Sequence, residues 1–177
     1  MKTQPTRLAS VVLAVLLGAH AGCGYAVVRY RGAIPDAETL AIEPLANDSY
    51  EPGVEAVVLD ALRREALQRG GLRLIDSPKD ADVVLSGRVQ GLRVRPRSFS
   101  SVVLALEYEV HLQLELVASQ RSGEVIAFDP RALSESDFYL SSADVEATRK
   151  NRRETIHRLA NVLADRVYDA LYESAAP

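Results

Sequence analysis

Of 177 residues, one is cysteine, one methionine, three histidine and none tryptophan. A lone thiol closes no internal disulfide and builds no cysteine-ligated zinc site. His20, His111 and His157 fall in no His-x-x-x-His spacing, and the chain has neither a Gly-x-Ser-x-Gly elbow nor a Gly-rich phosphate loop. The common nucleophile, metal and nucleotide sites are therefore not written into it, and the expectation is a protein with no catalytic residues, metal or cofactor. Glu107 and Glu109 share a strand face and come nearest to an acid/base pair, but nothing in the sequence encloses them. Positive charge is short as well: 21 Lys and Arg against 24 Asp and Glu give a net charge of −3. A general nucleic-acid binder would be basic, so that class is disfavoured. Repeats and low-complexity tracts are missing too, which leaves one folded domain of ordinary composition.

What the chain does have is an uncharged N-terminal run. Lys2 and Arg7 precede residues 8–19 (LASVVLAVLLGA), a positive n-region and an apolar h-region of secretory length. No Asp, Glu, Lys or Arg occurs in residues 8–28, so a membrane-spanning anchor competes with this reading. His20, Ala21, Gly22 and Gly24 dilute the second half of that run and favour cleavage. His20-Ala21-Gly22-Cys23 resembles a bacterial lipobox, with His20 where Leu is usual. On this reading residues 1–22 are a lipoprotein signal peptide, Cys23 is acylated, and residues 23–177 form the mature domain. Losing Lys2 and Arg7 leaves 19 basic against 24 acidic residues, a balance of −5. Several acyl chains on one cysteine hold a protein firmly where a single chain would not. Gly24, in place of Asp, favours the outer membrane by resemblance to sorted lipoproteins.

The mature chain reads as α+β. Residues 39–44 (TLAIEP) form a first strand, and Asn47, Asp48, Ser49 and Pro52 supply helix-start chemistry. Val54, Val57, Val58, Ala61, Leu62 and Ala66 recur at helical spacing until Gly70-Gly71 stops the helix. After a short strand at residues 72–75, residues 83–95 alternate but change apolar parity around Gly91, which predicts a bulge there. Residues 102–117 place every even position from Val102 to Leu116 on one apolar face, a half-buried strand roughly 50 Å long. Its other face carries Glu107, Glu109, His111, Gln113 and Glu115. Residues 124–128 return as a hairpin partner, and Ser141 with Asp144 resembles a capping box. The last helix buries Ile156, Leu159, Ala160, Leu163, Val167, Ala170 and Leu171. Its first third, residues 146–154, has no apolar stripe and is expected to project. The whole predicts a two-layer sandwich, with two helices on one face of a mostly antiparallel four-stranded sheet built around a long central β-hairpin.

Basic residues cluster twice. Arg93, Arg95 and Arg97 recur at period two beside Pro96 and near Phe99, so their guanidinium groups share a side, and arginine forks match phosphate geometry. Arg149, Lys150, Arg152 and Arg153 form the second cluster. A solvated loop and a charged helix end are the competing readings. His111 and His157 read as packing or surface residues.

Cys23-Gly24-Tyr25, the stretch TLAIEPLANDSYEPGVEAVVLDALRREAL, then RLID, ADVVLSGRV and LEYEVHLQLEL resemble the LptE-type lipopolysaccharide-assembly lipoproteins of the outer membrane. The resemblance implies a non-enzymatic translocon subunit. Such a subunit plugs and stabilises an LptD-type β-barrel from the periplasmic and lumen side and assists lipopolysaccharide insertion into the outer leaflet. It also implies lipopolysaccharide contacts in the loop joining the two central strands, residues 95–101 here, with Arg95 and Arg97 as the counterparts. The second contact region of the family falls on residues 137–143 (DFYLSSA), which hold no Lys or Arg, so Arg149 and Lys150 are its candidate replacements. An alternative class is a periplasm-facing adaptor lipoprotein that regulates another envelope machine, such as a cell-wall synthase, through the open sheet face.

Overall fold

The computed structural model describes Ile34, residues 37–99, Ser101 and residues 105–173. The expected signal segment and Cys23 lie outside the described residues, as do Val102 and Leu104 of the expected long strand. In chain order the elements are β1 (Thr39–Ile42), β2 (Ala46–Asn47), α1 (Val54–Arg69), β3 (Arg73–Leu74), β4 (Val83–Phe99), β5 (Ala105–Gln120), β6 (Val125–Ala127), β7 (Ser134–Leu140) and α2 (Val145–Glu173).

The α+β class and the long hairpin hold, but the sheet is mixed and seven-stranded, in the order β3-β1-β4-β5-β6, with β2 on β4 and β7 on β5. This corrects the four-stranded, mostly antiparallel expectation. The parallel part follows from connectivity: α1 lies between the β1–β2 edge and β3, and a helical crossover returns the chain in the same direction. Leu40 thus pairs with Val83 and Ala46 with Arg88, both in parallel register. The antiparallel β4–β5 ladder runs from Val83↔Gln120 to Phe99↔Ala105. Its parity change is a bulge between Val89 and Gly91, which leaves Gln90 as the extra residue next to the glycine expected there.

Even positions of β5 point at the helices, where Val110, Leu112 and Leu114 are fully buried against Leu62, Leu159 and Leu163. Burying leucine and valine side chains in this way contributes about 1.5–3 kcal/mol each. Arg69 joins the two helices, reaching Glu65 at 2.5 Å and Asp169 at 2.6 Å and also pairing with Asp165.

Strand β7 was not foreseen, because its inward positions hold carboxylates in place of apolar residues. Glu135 pairs with Arg166 of α2, and Asp137 meets Arg158 at 2.7 Å. Only Tyr139 is apolar on that face, stacked on Tyr108 with ring centroids 5.2 Å apart. The start of α2 also departs from expectation. Asp144, rather than a Ser141 box, caps it by accepting the Glu146 N–H at 2.8 Å. The projecting segment is shorter than predicted, since the Asn151 amide reaches the Leu140 carbonyl at 3.0 Å and Arg152 pairs with Glu51. Among the described residues no helix is long and apolar enough to cross a membrane.

Candidate functional site

The sheet face turned away from the helices is polar, and three strands contribute to it in rows. Arg93 of β4 stands opposite His111 of β5, which stands opposite Ser136 of β7. The next row is Arg95, Glu109 and Phe138. Together Arg93, Arg95, Glu109, His111 and Ser136 line a cleft of about 240 Å³.

His111 is held between two serines, with Nδ1 3.0 Å from Ser136 Oγ and Nε2 3.3 Å from Ser134 Oγ. Both ring nitrogens are thereby occupied and the ring plane is fixed. Arg97 is an extra residue of β4, between the Pro96↔Tyr108 and Ser98↔Glu107 pairs. Its guanidinium sits 5.2 Å over the Phe138 ring, a cation–π contact that spans β5 from the outside. Pro96 is tolerated because, among the described residues, no strand pairs with the outer edge of β4 beyond Val89.

The electrostatics separate these arginines from their neighbour. Arg88, on the same side of β4, is neutralised by Asp48 at 3.3 Å and Glu115 at 3.4 Å. Arg93 and Arg95 are exposed and make no ion pair or hydrogen bond among the described residues. Glu109 offsets one of their two charges, leaving a cleft with a surplus positive charge, a carboxylate and the Ser136 hydroxyl. Next to it, Phe99, Phe138 and Leu140 are about half exposed, at 55%, 46% and 56%. A cationic, hydrogen-bonding cleft bordered by apolar side chains suits an amphiphile whose head carries phosphate beside hydroxyl groups.

The fold brings Arg93, Arg95 and Arg97 together and leaves the second cluster elsewhere. Arg149 pairs with Glu146 at 2.6 Å and Lys150 with Glu154 at 3.7 Å, both on α2 in the helical layer. Ser136 completes the cleft, with Ser134 against His111 and Phe138 under Arg97 beside it, and none of the three had a sequence signal, because they depend on a strand with no apolar alternation. Cys23 lies outside the described residues.

The arrangement defines a class: an α+β domain with helices on one side of its sheet and an open, charged face on the other. Solved structures share this fold. Rare lipoprotein B from Shewanella oneidensis matches with a TM-score of 0.54 at 15% identity, over 76% of this chain and 95% of that one. Uncharacterized lipoprotein B from Nitrosomonas europaea gives 0.52 at 11% identity, over 84% and 89%. A hypothetical protein from Chlamydia trachomatis gives 0.52 at 11%, over 76% and 98%. The sequence matches no curated protein. The particular family is given by sequence: residues 37–171 match the model of the LptE lipopolysaccharide-assembly family, and the chain belongs to that family.

Proposed function

We propose that the mature chain, acylated at Cys23 after loss of residues 1–22, is an outer-membrane lipoprotein subunit of the lipopolysaccharide translocon. It plugs and stabilises an LptD-type β-barrel and holds lipopolysaccharide by its phosphate groups during insertion into the outer leaflet. The observation that carries this reading is the Arg93–Arg95 couple, without an ion pair among the described residues, in a cleft that Ser136 also lines, beside exposed Phe138. Family membership supplies the lipopolysaccharide context.

The physical roles follow from the cleft. Arg93 and Arg95 give charge-assisted hydrogen bonds to a phosphate, a pairing that suits the planar guanidinium. Glu109, His111 and Ser136 meet sugar hydroxyls next to it. Phe138, with Arg97 stacked on it, lies where an acyl chain leaves the headgroup. The polar outer face, with Glu107, Glu109, Gln113 and Glu115, suits a water-filled lumen, where a greasy surface would not. Nothing in these roles makes or breaks a bond. Arg149 and Lys150 remain candidates for a second phosphate contact only if a ligand reaches the helical layer.

The test is extraction of membranes in detergent and purification through this chain. A large β-barrel protein recovered in equal amount supports the plug. Recovery of the lipoprotein alone, open to protease in intact outer membranes, contradicts it.

A further inference from the structure

The geometry points to a second working surface on the helical side: a two-part docking site for a protein segment that carries an apolar side chain next to a carboxylate. Its first part is Tyr50, at the apex of the connection between β2 and α1. That connection is held rigidly. Asn47 Nδ2 donates to the Glu51 carbonyl at 2.8 Å and to Glu55 Oε2 at 2.7 Å, while Asn47 Oδ1 accepts from Ser49 N at 2.9 Å and Ser49 Oγ at 2.6 Å. The Asp48 N–H is fixed to the Val89 carbonyl at 3.0 Å, Glu51 pairs with Arg152 of α2, and Gly53 turns the chain into the helix with φ of 82°. On this scaffold the Tyr50 side chain is 102% exposed. A large ring on a pre-ordered loop loses little freedom on binding, which is why tyrosine anchors so many interfaces.

The second part lies beside it. A groove of about 190 Å³ opens between the start of α1 and α2. Pro52, Val54, Val57 and Ile156 give it an apolar floor, with room for about one large side chain. Arg153 and His157 stand on its α2 rim, one helical turn apart. Both are exposed, and neither makes an ion pair or hydrogen bond among the described residues. Glu51, the carboxylate in the groove wall, is already engaged by Arg152. The vacant charge is therefore positive, and the complementary occupant is an apolar residue with an acidic neighbour. Tyr50 would seat in the facing surface while that residue fills the groove. This surface is separate from the open-face cleft and does not depend on the lipopolysaccharide reading.

Photo-crosslinking in the native envelope tests it, with full-length chain carrying p-benzoylphenylalanine at Tyr50 or, as control, at exposed Leu67 on α1. The expected result is a Tyr50-specific adduct whose peptide, sequenced by mass spectrometry, has a carboxylate beside an apolar residue. Arg153→Glu should lower the yield about tenfold, and replacing that partner carboxylate with Lys should restore it. An adduct with lipid alone, a yield no higher than at Leu67, or a yield indifferent to Arg153→Glu overturns the proposal. Unchanged circular dichroism of the Arg153→Glu chain excludes misfolding as the cause of a loss. Its lipopolysaccharide retention through Arg93 and Arg95 should also be unchanged, which separates failure here from failure of the proposed function.

Discussion

Tyr168 is 2% exposed near Glu65 and Arg69 of α1, and its hydroxyl has no hydrogen-bond partner among the described residues. Burial pushes its pKa well up, so the phenol stays neutral at any physiological pH. A buried hydroxyl without a partner keeps its desolvation penalty, and removing it relieves that penalty. Tyr168→Phe should therefore stabilise the fold by about 1 kcal/mol, read as a higher urea midpoint at unchanged slope. A lower midpoint would show that the hydroxyl has a partner after all. Gly87 presents the opposite case. It sits in β4 at φ of 150°, where an added Cβ would lie 2.1 Å from the Glu115 carbonyl oxygen and 2.9 Å from Leu116 Cα. Because the obstruction is the backbone of β5, no rotamer change relieves it. Gly87→Ala should cost at least about 2 kcal/mol and weaken the β4–β5 ladder, visible as faster amide exchange along both strands.

At the scale of elements, legibility tracks what fills each buried face. Strand β5 was readable because its even positions are uniformly apolar, and α1 because Val54, Val58, Ala61, Leu62 and Ala66 keep helical spacing and are all buried. The sheet was misjudged at β2, whose two residues are too few for a period to show, whereas the short strand expected at residues 72–75 is β3. Strand β7 was invisible because Glu135 and Asp137 face the helices and are met there by Arg166 and Arg158. An ion-paired strand has no apolar signature. The site followed the same rule, since three arginines at period two were legible on β4 while the wall supplied by β7 was not.

The Glu135–Arg166 pair makes β7 sensitive to acid. The Ser136 backbone N–H, together with Arg166, holds the Glu135 carboxyl below its ordinary pKa. A carboxylate depressed in the folded state contributes stability above its unfolded pKa of about 4.3, and that contribution is lost as pH falls through the folded value. The urea midpoint should drop between pH 7 and pH 3, and Glu135→Gln should drop less. Glu135→Ala with Asp137→Ala should speed amide exchange in β7 and weaken ligand retention in the cleft, although neither residue lines it. Unchanged exchange would mean that the ladder Glu107↔Leu140 to Gln113↔Ser134 holds β7 without the helix.

For the whole molecule, the two layers divide the labour. The helical layer and the apolar face of β5 make one continuous core on which the inner part of the long β4–β5 hairpin rests. The opposite face is left free to carry charge that the fold itself does not use. Arg88 is consumed by neighbours, whereas Arg93 and Arg95, a few residues further along β4, are not. Arg93 and Arg95 therefore stay available to an anionic group in the cleft, next to exposed aromatic rings.

The most direct measurement is equilibrium binding of the purified full-length lipoprotein to lipopolysaccharide and to the same lipopolysaccharide after enzymatic dephosphorylation. The account predicts weaker binding of the dephosphorylated form by about tenfold or more, since hydrogen bonds to charged groups contribute about 1.5–3 kcal/mol each. It also predicts that Arg93→Glu with Arg95→Glu binds both forms equally weakly while the circular dichroism spectrum is unchanged. Equal affinity of the native chain for the two forms, or full binding by the double variant, would contradict it.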